Sequence, residues 1–176
     1  MASILGNVKT DKIISVTEDE WIEHSNGFEA VASAARLILK KAKNKVYINT
    51  DFPITELYDE LQFLVNNNVE VYIFSFYEIK KIPAGVFVYS HNHKMPIDHV
   101  CTRLMIAVDE TEAFLAENRE QSDGWKGTRT NNDLLVKVIC EHIHNDIFLL
   151  LIRQKYGRGI YEEVNMQEHM ARKKFL

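Results

Sequence analysis

Residues 28–76 read FEAVASAARLILKKAKNKVYINTDFPITELYDELQFLVNNNVEVYIFSF, and the order of elements within them decides the fold. Phe28, Val31, Ala32, Ala35, Leu39 and Ala42 recur at helical spacing, with Glu29, Ser33, Arg36, Lys40 and Lys43 opposite them. The spacing predicts a helix from Phe28 to Lys43. Asn26 with Glu29 has the form of a capping box, and the lysines suit the negative end of the helix dipole. Lys45 to Thr50 (KVYINT) reads as a short buried strand. Pro53 opens a second helix, at a position where its missing N–H costs nothing. The apolar stripe of that helix is Ile54, Leu57, Leu61, Leu64 and Val65. Asn66-Asn67-Asn68 ends it, because Asn tolerates the left-handed backbone of a C-cap. Val69 to Phe76 is the next strand. Helix, strand, helix, strand with short connections predicts parallel strands, a right-handed crossover and helices packed on the sheet.

Outward from this stretch the pattern is plainer in places than in others. On the N-terminal side, residues 1–11 read as a frayed start and Lys12 to Val16 (KIISV) as a short edge strand. On the C-terminal side, Val86 to Ser90 and Arg103 to Val108 are strands. Asp109-Glu110-Thr111-Glu112 turns the latter into Ala113 to Ala116 as a hairpin. A polar loop, Glu117 to Gly124, leads to a strand at Trp125 to Thr130. A long helix follows from about Asn132, with Val136, Ile139, Cys140, Ile143, Ile147 and Leu151 as its stripe, ending before Gly157-Arg158-Gly159. Ile160 to Lys174 is a weaker amphipathic helix or a tail. The expected organisation is one α/β domain over 12–156, a mixed and mostly parallel sheet flanked by helices, with a tail at 157–176.

Composition sets bounds. The 176 residues include 21 Lys and Arg against 25 Asp and Glu, a net charge of -4. That balance argues against a standing affinity of the whole domain for nucleic acid or anionic membrane, which both need clustered positive charge. The two cysteines, Cys101 and Cys140, define no disulfide framework. Met1 to Thr10 has no basic start followed by an apolar run, so no signal peptide is expected. The longest apolar run, Ile147 to Ile152, is too short to span a bilayer. The expectation is a cytoplasmic protein without membrane contact.

Few residues suggest chemistry. His91, His93, Asp98 and His99 crowd one segment, and His91 and His93 would share a face of a strand, as metal ligands can. A metal-dependent hydrolase is the functional alternative they raise. The spacing departs from the His-x-His-x-Asp-His pattern by three residues including Pro96, so a polar connecting loop is the preferred reading. Cys140 and His144 lie one helical turn apart, but Cys140 belongs to the apolar stripe and reads as core. No metal site and no cofactor is expected. The chain lacks Gly-x-Ser-x-Gly, His-Glu-x-x-His, Gly-x-x-x-x-Gly-Lys and Gly-x-Gly-x-x-Gly. Polar residues do fall at strand ends: Thr50 and Asp51, Ser75, and Thr130-Asn131-Asn132. In open parallel sheets the crevice beyond the carboxyl ends is the usual ligand site. Asp51 as a turn residue and Asn132 as an N-cap are the structural alternatives.

The succession GFEAVASAARLILKKAKNKVYINTDF, LYDELQFLVNNNVEVYIF, RLMIAVDETEAFLA and WKGTRTNNDLLVKVICEHIHNDI resembles the effector domain of TrmB-type transcriptional regulators, from about Trp21 to Leu151. The resemblance implies a phospholipase D-like fold, a homodimer and a response to a small-molecule effector such as a sugar. Phospholipase D enzymes carry His-x-Lys-x-x-x-x-Asp on the strand that RLMIAVD occupies here. No histidine in this chain has a lysine two residues on. Around the expected place stand Cys101, Thr102, Arg103 and Leu104, with Asp109 as the matching aspartate. Without the histidine no phosphohistidine can form, so the resemblance implies binding without catalysis. The ligand-binding candidates are Asp51, Ser75, Arg103, Asp109, Thr130 and Asn132. DNA would be contacted only through a winged-helix part, for which there is no room before Phe28. The alternative to effector sensing and to hydrolysis is an interaction domain with no small ligand.

Overall fold

The computed structural model describes residues 20–94, 102–118 and 124–157. The expected edge strand at Lys12 to Val16 and the segment Ile160 to Lys174 lie outside them. In chain order the elements are β1 (Ile22–Asn26), α1 (Phe28–Leu39), β2 (Lys45–Thr50), a 3-10 turn (Ile54–Leu57), α2 (Tyr58–Asn66), β3 (Glu70–Tyr77), β4 (Phe87–His93), β5 (Arg103–Val108), β6 (Glu112–Asn118), β7 (Trp125–Thr130) and α3 (Asp133–Tyr156). The strands form one sheet in the order β1-β7-β6-β5-β2-β3-β4.

Only β2–β3 and β3–β4 pair in parallel; the other neighbours are antiparallel. The expectation of a mostly parallel sheet is corrected here. The helix–strand alternation of residues 28–76 sets the parallel part. After it β5, β6 and β7 follow one another as a meander, and hairpin connections reverse direction at each step. β1, absent from the sequence reading, adds antiparallel to β7, with Asn26 opposite Lys126.

Alternation along the strands sorts two cores. Val46, Ile48, Val71, Ile73, Leu104, Ile106 and Phe114 pack under α1 and α2 with Val31, Ala35, Ile38, Leu61 and Leu64. Tyr47, Ala107 and Ala113 face α3, where Val136, Ile139, Cys140 and Ile143 cover them. The molecule is thus a helix–sheet–helix sandwich.

Several local expectations change. Asn26 caps nothing: it ends β1, and Gly27 (φ 87°) is the N-cap, in a left-handed conformation that favours glycine. α1 ends at Leu39 rather than Lys43, because Asp109 takes the backbone N–H groups of Lys43, Asn44 and Lys45 and draws the chain into β2. Ile38 joins its buried face, since α1 packs on α2 as well as on the sheet. Pro53 is the N-cap of a 3-10 turn, and α2 proper starts at Tyr58. Asn68 has φ 60°, the left-handed residue expected of the asparagine run. In α3, Leu150 is buried and Leu151 is not: the helical repeat carries the stripe from Ile147 to 150. No helix among the described residues is long and apolar enough to cross a membrane.

Candidate functional site

The two sides of the sheet are covered unequally. α3 lies over β6, β5, β2, β3 and β4, and beside its first turns an open cleft of about 1210 Å³ remains above the outer parts of β5 and β6 and above β7 and β1. Met105 and Leu115 form its floor, and Leu135, Val138 and Ile139 of α3 its wall. Alternation then dictates the rest of the lining. Arg103 precedes Met105 by two on β5, Glu117 follows Leu115 by two on β6, and Lys126 and Thr128 share that face of β7. His24 of β1 completes the rim, its Nδ1 3.1 Å from the Thr128 hydroxyl. Two cations, an imidazole, a carboxylate and a hydroxyl therefore surround an apolar floor. Arg103 stacks its guanidinium 5.0 Å from the Phe76 ring centroid, which fixes its direction without neutralising it.

The six residues expected at the ligand site do not assemble into one. Antiparallel pairing explains this: the carboxyl ends of β5 and β7 lie at the opposite edge from that of β2, since Thr50 pairs with Leu104 and Val46 with Val108. Asp51, Ser75 and Arg103 lie at one end; Asp109, Thr130 and Asn132 lie at the other. Each carboxylate and hydroxyl also has structural work. Asp51 accepts from the N–H groups of Thr102 (2.9 Å) and Arg103 (2.7 Å) and from the Thr102 hydroxyl. Thr50, Asp51 and Ser75 line a small crevice of about 200 Å³ beneath the 3-10 turn. The Ser75 hydroxyl accepts from the Tyr77 N–H. Asp109 holds three N–H groups. Thr130 donates to the Trp21 carbonyl. Asn132 is the N-cap of α3, accepting from the Leu135 N–H, and its amide donates to Glu20. Of the six, Arg103 alone lines the large cleft.

His91 and His93 do share a face of β4, their rings 6.2 Å apart and nearly parallel. His91 stacks on Phe76, and Arg153 of α3 stands 3.4 Å from its Nδ1. Burial and the Arg153 charge lower the His91 pKa, which favours a neutral ring beside that guanidinium. Asp98 and His99 fall outside the described residues, and among those described no three His, Cys, Asp or Glu side chains converge. Burial raises the Cys140 thiol to about 11, and His144 packs edge-on against Tyr47 at 4.3 Å.

His24, Glu117, Lys126 and Thr128 were missed. The signal was present in WKGTRT, where Lys126, Thr128 and Thr130 alternate with Trp125, Gly127 and Arg129. It goes unread without β1 and the direction of β7. Also unforeseen is buried Arg129, which lies over Trp21 at 4.9 Å and pairs with Glu112 and Glu23, while Lys41 meets Glu112 at 2.9 Å. That network ties β1 to β7 and α1 to β6.

No protein-family model and no curated protein sequence matches the chain. Solved structures do. The chain is similar to TrmBL2, an archaeal chromatin protein whose structure shows a novel mode of DNA binding, with 16% identity and a TM-score of 0.53 over 76% of this chain. It spans 54%, about half, of that longer chain. It is also similar to NucT from Helicobacter pylori, with 10% identity and a TM-score of 0.52 over 71% of this chain and 95% of NucT. At such identities the likeness is one of fold. That fold is the phospholipase D-like one, with a mostly antiparallel sheet.

Proposed function

We propose that the chain is a ligand-sensing domain of the TrmB-like kind, which holds a sugar or a related polar small molecule in the cleft beside α3 and does not transform it. The observation that carries this reading is the lining of that cleft. An apolar floor and wall of Met105, Leu115 and Val138 meet a sugar's C–H faces, while Arg103, Lys126, His24 and Thr128 supply hydrogen-bonding groups at the rim. Fold likeness to TrmBL2 supports the placement among TrmB-like domains.

Binding without transformation rests on β5. Counting back from Asp109, the enzyme motif's histidine and lysine fall on Thr102 and Leu104. Thr102 is bonded to Asp51, and Leu104 is fully buried in the core under α1. Thr102 lines the cleft but donates its hydroxyl to Asp51, and neither position carries the imidazole or the cation of the motif. In this reading DNA is contacted by a winged-helix part, and the ligand biases the sensing domain between two arrangements.

A thermal-shift panel of mono- and disaccharides, sugar phosphates and divalent metals tests the proposal. A cognate ligand at a hundredfold excess over Kd stabilises by about 2.7 kcal/mol. Absence of a shift with every sugar and sugar phosphate contradicts sugar sensing. Incubation with bis(p-nitrophenyl) phosphate, with and without metal, is expected to show no turnover. Turnover abolished by His24→Ala contradicts the non-catalytic half of the claim.

A further inference from the structure

The cleft beside α3 has a charged end, and the pairing register builds it. Arg103 of β5 stands opposite Glu117 of β6, Glu117 opposite Lys126 of β7, and Lys126 opposite Asn26 of β1. These four make one row across the sheet, and all four line the cleft. The next row on the same face is Met105, Leu115, Thr128 and His24. It lies two residues further along each strand, about 7 Å away. A charged row therefore borders one that is apolar on β5 and β6 and hydrogen-bonding on β7 and β1.

The charges of that row do not cancel. Arg103 and Lys126 are the cations among the described lining residues and Glu117 is the carboxylate, which leaves one positive charge in excess. The chain as a whole is at -4, so the cleft departs from its surroundings in sign. Arg103 and Lys126 stand two strands apart, about 10 Å between backbones, a span that two long side chains can close onto one group. Arg103 is also held in advance. Its guanidinium lies 5.0 Å from the Phe76 ring centroid, and Phe76 is itself stacked on His91. Less rotamer freedom is then lost on binding. A guanidinium presents paired donors to the two oxygens of an oxyanion, and an ammonium only donates. A neutral ligand would leave the excess charge unmatched beside an apolar floor.

We infer that the ligand of this cleft is an anion, a polyol that carries one phosphate or carboxylate group. The oxyanion sits on Arg103 and Lys126, the carbon skeleton lies over Met105 and Leu115, and hydroxyl groups reach Glu117, Thr128 and His24. This inference rests on the small-molecule-sensing reading and adds the chemical class of the ligand. Glu117 has two effects in it. Its carboxylate accepts from a ligand hydroxyl, and its charge repels further anionic groups, which selects a single oxyanion over a polyanion.

Titration calorimetry of the full chain at low salt with glucose, glucose 6-phosphate and glucuronate tests this. At least one of the two anions is expected to bind about tenfold or more tightly than glucose, and the stronger of them names the oxyanion. That advantage should shrink as salt is added. Arg103→Gln should erase it. Glu117→Gln should tighten binding of the preferred anion by relieving repulsion, whereas a site built for a neutral sugar would lose a strong acceptor and bind glucose less well. Glucose bound as tightly as both anions overturns the inference and leaves the sensing reading standing. Weaker anion binding by Glu117→Gln overturns it as well. So does the failure of all three ligands, in which case a neutral disaccharide that binds in their place keeps the sensing reading.

Discussion

The two sides of the sheet use the same strands for different ends. The side under α1 and α2 is dry and closed: Leu57, Leu61, Leu64, Ile73 and Leu104 are fully buried there. The α3 side is thinner, with fewer residues in its core. It buries Asn49, whose Nδ2 donates to Asp146 and whose Oδ1 has no partner among the described residues, and it leaves a cleft open beside the helix. Most side chains on the first side are explained by packing, and its buried charges are paired, as Arg129 is with Glu112 and Glu60 with Lys40. The open cleft is the ground on which the proposed ligand is assigned to the α3 side.

Substitutions should separate the sides, and the largest effect belongs to the closed one. Phe114 is fully buried, and its ring lies where a Cβ on Gly127 would stand 2.7 Å away. Phe114→Ala is expected to cost about 3–5 kcal/mol in a denaturant titration, through lost burial and a cavity. Asp51→Ala comes next, at about 1–3 kcal/mol, because the N–H groups of Thr102 and Arg103 lose their acceptor. Arg103→Gln should change stability by less than about 0.5 kcal/mol yet remove the ligand-induced thermal shift. Equal losses of stability for Arg103→Gln and Asp51→Ala would erase the distinction.

The smallest effect is in pH. The folded His91 pKa lies below its ordinary value, so the folded chain binds fewer protons than the unfolded one there. Its contribution is complete above about pH 6.5 and is lost as pH falls through the depressed folded value. Arg153 and His93 lower that pKa and Asp146 opposes them. His91→Gln should therefore flatten the fall in Tm between about pH 7.5 and pH 5.5 relative to the parent.

How much of this was legible in the sequence follows from which forces are local. Periodicity located α1, α2, α3 and the strands from β2 to β7, because one buried face writes a repeat into the chain. The hairpin at Asp109 and the cap at Asn132 were readable as turn and cap chemistry. β1 was not: IEHSN has no alternation, and its place depends on pairing with β7, a hundred residues on. Strand direction was misjudged for the same reason. The carboxyl-end rule, valid for parallel strands, then chose Thr130 and Asn132, which lie at the far end of the sheet from Asp51. Asp51 and Asn132 carry backbone bonds that a sequence cannot distinguish from ligand contacts, since both need the same oxygen.

Amide shift mapping of the isotope-labelled chain with the best ligand of the thermal panel tests the location of binding most directly. The account predicts perturbations at residues 24–26, 103–105, 115–118, 126–128 and 135–139, the lining of the cleft beside α3. Perturbations centred instead on Thr50, Asp51, Ile54 and Ser75, with the cleft residues unmoved, would place the ligand in the crevice under the 3-10 turn and contradict it.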